Sequence, residues 1–341
     1  MEILLTESFF TQSFGILIKR SSIYTCDLNL IAEIVALSGN FSFALAFVLA
    51  RKLENKTTAI FQTFFRIIIA LIFFGTFFLI FNNFQYLELL SWDLILGIYG
   101  SIVFTAILGD ILFLQAQKNL GSTKTIAITN ISPFFTFLLA SIFLNRPFTW
   151  NLLFSSIAIG IGVLIINKGR GTVEIRGENE NQTLKKKGNQ VFWIFNSILV
   201  SILWAIGTVF TDYAFTEMNL VLGPGIISMV VGNTIRYLFA AITMLILVII
   251  EKGETSKAYI KDNDKNGWIV LVISAFLVNI LGTIAFTESV KILGASILSL
   301  LMSALPLFTI PLAYFINKEK ITKIEFIGIL LTIFGVIVII I

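Results

Sequence analysis

The sequence predicts an all-α integral membrane protein of ten transmembrane helices, arranged as two inverted five-helix repeats. Three observations carry that prediction. The 341 residues are 57% hydrophobic and 13% charged with a mean hydropathy of +0.94, whereas a soluble globular chain is about 25% charged. Polar breaks divide the chain into apolar runs of membrane-spanning length. Finally, the chain matches itself at a spacing of 173 residues.

The runs fall at 29–50, 58–81, 92–116, 122–144, 149–167, 191–216, 223–250, 267–290, 295–316 and 323–341. A helix rising 1.5 Å per residue needs about 20 residues to cross roughly 30 Å of hydrocarbon, and each run supplies about that. The in–out alternation of a membrane β-barrel is missing from them. Trp92, Trp150, Trp193 and Trp268 stand near predicted helix starts, as interfacial anchors do, and Trp204 lies mid-span. Residues 1–28 hold short apolar patches broken by Glu7, Thr11 and Gln12. They read as an N-terminal tail lying in the interface rather than as a span or a cleaved signal peptide. The stretch 168–190, with Lys185-Lys186-Lys187, reads as a solvated cytoplasmic linker between a first repeat, 29–167, and a second, 191–341.

Connections after spans 1, 3, 5, 7 and 9 carry 18 of the 24 basic residues, whereas those after spans 2, 4, 6 and 8 carry only Arg146 and Lys291. Positive charge marks the cytoplasmic side, so both termini are expected outside despite Lys19 and Arg20 in the tail.

Aligned at an offset of 173, residues 107–166 and 280–339 share 17 of 60 positions without a gap, where composition alone gives about one in ten. Gly109/Gly282, Lys118/Lys291, Gly121/Gly294 and Pro133/Pro306 weigh most, and Arg66-x-x-x-Ala70 matches Arg236-x-x-x-Ala240 at an offset of 170. Since five is odd, the second copy enters the bilayer inverted. Secondary transporters are built this way, with their sites near the midplane between the repeats.

Composition excludes other chemistries. The chain has no histidine and a single cysteine, Cys26, which removes the usual metal ligands, thiol redox pairs and the usual neutral-pH base. No metal, cofactor or nucleic-acid partner is expected, and the net charge of +4 is mostly topological. With no clustered intramembrane carboxylates or Ser–Lys site, an enzyme is not expected; with no P-loop, neither is direct drive by ATP. The alternative to a carrier is a non-transporting membrane scaffold or sensor.

Five plus five spans, an Arg in the second span of each half (Phe65-Arg66-Ile67, Ile235-Arg236-Tyr237), a Pro in each fourth span and small-residue entries before it (Gly121-Ser122-Thr123, Gly294-Ala295-Ser296) resemble the EamA family of the drug/metabolite transporter superfamily. The resemblance covers about residues 30–341. It implies a plasma-membrane carrier of a small polar metabolite, such as an amino acid or related compound, coupled to a proton or cation. Two features depart from the family. Its termini are commonly cytoplasmic, and its first span often holds a Trp-Gly pair where this chain has Leu37-Ser38-Gly39-Asn40. Its Leu-Gly-Glu turn is Leu144-Asn145-Arg146-Pro147 in the first copy, and only Glu319 keeps the acid in the second.

Charges within spans require partners or a cavity. Arg66 and Asp110 lie at similar depth, about 12 and 10 Å from the cytoplasmic side, and are expected to pair. Either they lock spans 2 and 3 together or they form a coupling site. Arg236 is expected to pair with Asp212 or Glu288, and Glu33 to snorkel toward the outer interface. Asn40, Gln62, Tyr99, Gln115, Asn130, Trp204, Asn233 and Asn279 are candidates for lining a substrate cavity, with amides to bind polar groups and rings to enclose apolar ones. Pro133 and Pro306 are expected as mid-span hinges. Substrate identity, direction of transport, coupling ion and oligomeric state are not legible.

Overall fold

The computed structural model describes residues 28–49, 53, 57–120, 125, 128–146, 150–174, 187–223, 225–250, 264–317 and 322–340. They are helical apart from short turns, and no strand occurs among them. The tail at 1–27, the middle of the linker at 175–186 and most of the basic loops at 50–56, 251–263 and 318–321 lie outside the described residues.

The helices are α1 (Leu28–Leu49), α2 (Ala59–Ile80), α3 (92–120), α4 (128–143), α5 (Trp150–Glu174), α6 (Lys187–Val221), α7 (Ile226–Ile250), α8 (265–293), α9 (295–317) and α10 (Lys323–Ile340). Six stretches are long and apolar enough to cross a membrane: α1, α2, α7, Trp92–Gln117 in α3, Gln190–Val221 in α6, and Lys265–Ile316, which contains both α8 and α9. Ser132–Phe143 and Trp150–Ile166 are shorter apolar helices. Helix α5 runs on to Glu174 and α6 begins at Lys187, so the expected linker is partly helical. Hydropathy marks the edge of the apolar run, whereas backbone hydrogen bonding continues past it.

Several starts are capped by residues visible in the sequence. Thr58 accepts from Phe61 N at 3.2 Å, and Ser91 from Leu94 N at 3.4 Å. At α10, Thr322 and Glu325 form a reciprocal capping box, at 3.2 and 2.6 Å.

Equivalent helices of the two halves pair, α2 with α7 and α5 with α10. At the second pair the backbones nearly touch. A Cβ added to Gly328 would lie 2.6 Å from the Gly162 carbonyl oxygen, the small-residue contact that van der Waals attraction favours in lipid. First helices cross over to the opposite half. Helix α6 packs on α3 and α4, while α1 reaches α8 and α9, where Ser289 Oγ donates to Ala32 O and Asn40 Nδ2 to Leu301 O, both at 2.9 Å. Large apolar side chains such as Phe143, Phe195 and Phe315 are exposed on the outside, a surface suited to acyl chains.

The helices around the centre are interrupted, and the interruptions obey the repeat. Helix α3 contains a π-helical turn at Val103–Gly109 and α8 one at Phe276–Gly282, 173 residues on. Helices α4 and α9 break at Ile131 and Ala304. At each break Ile131 N donates to Ile128 O and Phe134 N to Ile131 O, just as Ala304 N donates to Leu301 O and Leu307 N to Ala304 O. The expected proline hinges are thereby corrected. Pro133 and Pro306 do not kink a continuous helix but sit in the first turn of Ser132–Phe143 and Leu305–Asn317. There a missing N–H has no intrahelical acceptor to lose.

Candidate functional site

All four interruptions converge on one cavity of about 240 Å³. Walls come from α1 (Asn40, Phe43, Phe47), α3 (Thr105, Asp110, Phe113), α4 (Thr129, Asn130, Pro133), α6 (Trp204, Thr208), α7 (Arg236, Tyr237), α8 (Asn279, Thr283, Phe286) and α9 (Ser299, Ser303). Pockets for drug-sized ligands run to about 300–1,000 Å³, so this one suits a smaller solute. π-helical turns recur at functional sites because they redirect side chains and release backbone groups. Both turns here border the cavity.

Asp110 ends the first π turn. Its Oδ2 lies 3.8 Å from the Arg66 guanidinium, so the expected pair across α2 and α3 is formed, and its Oδ1 accepts the Trp204 indole N–H at 3.2 Å. The indole reaches it because residue 109 is glycine: a Cβ there would lie 2.5 Å from Trp204 Cδ1. Thr283 occupies the position equivalent to Asp110 in the second half and shares a 2.6 Å hydrogen bond with Tyr237, whose hydroxyl also donates to Asn279 O at 3.0 Å. Phe74 stacks on the Tyr237 ring, with centroids 5.6 Å apart.

Arg236 reaches across the repeat interface and donates from Nη2 to Thr105 Oγ1 at 3.1 Å. The pairing expected from sequence is overturned. Asp212 faces Arg146, accepting from Nε at 3.1 Å and Nη2 at 2.5 Å, and it also accepts from Ala295 N at 2.8 Å and Thr216 Oγ1 at 3.1 Å. Glu288 binds Lys291 at 2.7 Å. Depth along the span suggested Asp212 and Glu288 as partners for Arg236; the direction in which α7 presents Arg236, toward α3, decided otherwise. Glu33 is buried rather than reaching for an interface.

Of the other predicted residues, Asn40, Asn130, Trp204 and Asn279 line the cavity. The atoms Asn40 Oδ1, Asn130 Nδ2 and Asn279 Oδ1 are buried with no hydrogen-bond partner. Tyr99, Asn233, Gln62 and Gln115 do not line it. Tyr99 bonds Thr243 at 3.1 Å between α3 and α7, and Asn233 donates to Met229 O and Thr287 Oγ1 within the α7–α8 contact. Gln62 is buried in α2, and Gln115 offers its backbone oxygen to Asn119. Thr105, Tyr237, Thr283 and Arg146 were not singled out from sequence. The repeat offset pointed to Thr283 as the partner position of Asp110, whereas Arg146 reads as an ordinary loop charge.

The Asp212 cluster closes one end of the site. It joins the α4–α5 connection (Arg146), α6 (Asp212) and the start of α9 (Ala295). Gly294, at φ 73°, supplies the left-handed turn that aims the Ala295 N–H at the carboxylate. Among the described residues, no group of three or more His, Cys, Asp or Glu side chains could hold a metal.

The sequence profile of the EamA-like transporter family matches residues 30–168 and again 191–341. None of the curated proteins matches. Twenty-eight solved chains do; one, described only as "Crystal structure of protein", superposes with a TM-score of 0.65 at 13% identity, over 90% of this chain and 95% of its own. At that identity the likeness speaks to the fold.

Proposed function

The chain belongs to the EamA-like transporter family, a family of multi-pass membrane transporters, and on that premise we propose that it is a secondary carrier of a small polar metabolite. It crosses the bilayer ten times, as two inverted repeats joined by the 168–190 segment. The observation that carries the reading is the cavity's position between the repeats, bordered by π turns and helix breaks at equivalent places in both. Discontinuous helices at the repeat interface are where carriers hold their solutes, and rocking one half against the other exposes such a site to each side in turn.

The basic connections favour a cytoplasmic location for the linker, with both termini outside and the plasma membrane as the host bilayer. In that orientation the Arg146–Asp212–Ala295 cluster closes the outer side of the cavity in this conformation. Labelling of single cysteines with an impermeant maleimide in a Cys26→Ser background would test it: a cysteine at Asn145 should react from outside intact cells. Reaction only after permeabilisation would reverse the topology.

Counterflow into proteoliposomes across a broad metabolite panel tests transport. Flux of at least one solute, lost when the cavity is filled by Thr208→Trp, is the expected result. A folded protein that moves none of the panel would favour the scaffold or sensor reading.

A further inference from the structure

We propose that the cavity is built for a solute bearing a carboxylate, and that Arg236 receives it. This rests on the carrier reading and adds the chemical class of the solute.

The argument begins with charge. Three charged side chains cluster at the midplane: Arg66, Asp110 and Arg236. Asp110 is matched by Arg66 at 3.8 Å and further held by the Trp204 N–H. Among the described residues no carboxylate pairs with Arg236; its bonded neighbour is the neutral Thr105, and its Nε is buried with no partner. Arg236 lines the cavity and is only 6% exposed. The cluster therefore carries one net positive charge, on a guanidinium with most of its five N–H groups uncommitted.

A buried unpaired cation is costly in a low-dielectric interior. Water in the cavity offsets part of that cost, and an anion offsets more. A carboxylate fits on three counts. Its charge matches the excess of one, which a dianionic phosphate ester would exceed. Its two oxygens match the guanidinium fork. The rest of such a solute meets Phe43, Phe113 and Phe286 on the apolar wall, while Asn40 Oδ1 and Asn279 Oδ1 await a donor. Asn40 is fixed in that orientation because its Nδ2 is spent on Leu301 O. A carboxylate anchored on α7 and bonded to α1 or α8 would also link elements that must move together when the halves rock.

The test is thermal melting of the full chain in detergent with four solutes of one skeleton: 4-methylpentanoate, leucine, 4-methylpentanamide and 3-methylbutylamine, plus a set of smaller carboxylates from acetate to lactate and benzoate. Carboxylates should raise the melting temperature and the amide and amine should not. Arg236→Gln should weaken carboxylate binding about 10- to 100-fold, the range for losing a charged hydrogen-bonding partner. Should that variant fail to fold, Arg236→Lys and Thr105→Val report instead. The first keeps the charge but not the fork and should weaken binding while preserving the preference for carboxylates; the second should leave that preference intact.

Stabilisation by the amide or amine equal to that by the carboxylates would overturn the proposal. So would unchanged carboxylate affinity in the Arg236 variants, or no response to any carboxylate. Counterflow separates the two levels. Flux confined to neutral or cationic solutes removes the anion site and leaves the carrier reading; carboxylate binding without flux of any solute does the reverse.

Discussion

Trp204 donates its indole N–H to Asp110 across 3.2 Å, tying the second half of the molecule to the π turn of the first. The same carboxylate lies 3.8 Å from Arg66. One acidic group thus joins α2, α3 and α6 at the edge of the cavity, and its removal has consequences that separate stability from coupling.

Asp110→Asn keeps an acceptor for Trp204 but strands the Arg66 guanidinium. Loss of one member of a buried pair costs about 3–5 kcal/mol, and the loose 3.8 Å contact places this one near the lower end. Melting should show that loss, and Arg66→Gln combined with Asp110→Asn should recover part of it in a double-mutant cycle. The pH profile of transport should keep its wild-type shape in Asp110→Asn. A flattened profile would instead make Asp110 the proton carrier.

Gly109→Ala tests the approach of the indole. The added Cβ would lie 2.5 Å from Trp204 Cδ1 and 2.7 Å from the Phe104 carbonyl oxygen, so ring or backbone must yield. Overpacking of this kind costs about 1–3 kcal/mol. Tryptophan emission should shift as the N–H leaves Asp110, and the shift should vanish in a Trp204→Phe background. Unchanged emission and stability would mean that the ring is free to move.

Asp212→Asn should weaken the end of the cavity where Arg146 and Ala295 meet. The amide can still accept from one neighbour, but the two-point bond to Arg146 is lost. A cysteine at Ser299, on the cavity wall, should then react faster with an impermeant thiol reagent from the Arg146 side, measured in a Cys26→Ser background. Equal rates with and without the substitution would show that the cluster holds the fold but does not gate access.

Pro133→Ala and Pro306→Ala restore an N–H in the first turn after each break. An alanine there can donate to the carbonyl four residues back and extend the helix through Ile131 or Ala304. Neither variant should lose stability, whereas counterflow should slow, and the double variant more than either alone. Full-rate transport in the double variant would show that the turns themselves, without proline, suffice for the breaks.

Much of the architecture was legible because it is a property of segments. Spanning runs, the 173-residue repeat and the Arg66–Asp110 depth match all survive averaging over neighbours, and each has its counterpart in the structure. Half of the eight proposed cavity residues line the cavity, and the other half do not. Tyr99 and Asn233 satisfy their polar groups in helix contacts instead. Both outcomes are open to any polar residue in an apolar helix, because sequence gives its depth but not the direction it faces after packing.

By itself, then, the sequence determined a helical membrane protein of duplicated, inverted design, since hydrocarbon thickness and backbone hydrogen bonding leave few other ways to bury such runs. Only the tertiary structure decided which charges meet. Arg146 rather than Arg236 neutralises Asp212 because the α4–α5 connection folds back onto α6, and Arg236 is left facing a cavity because α7 turns it toward Thr105. Those directions depend on helices more than 60 residues apart in the chain, and no local pattern encodes them.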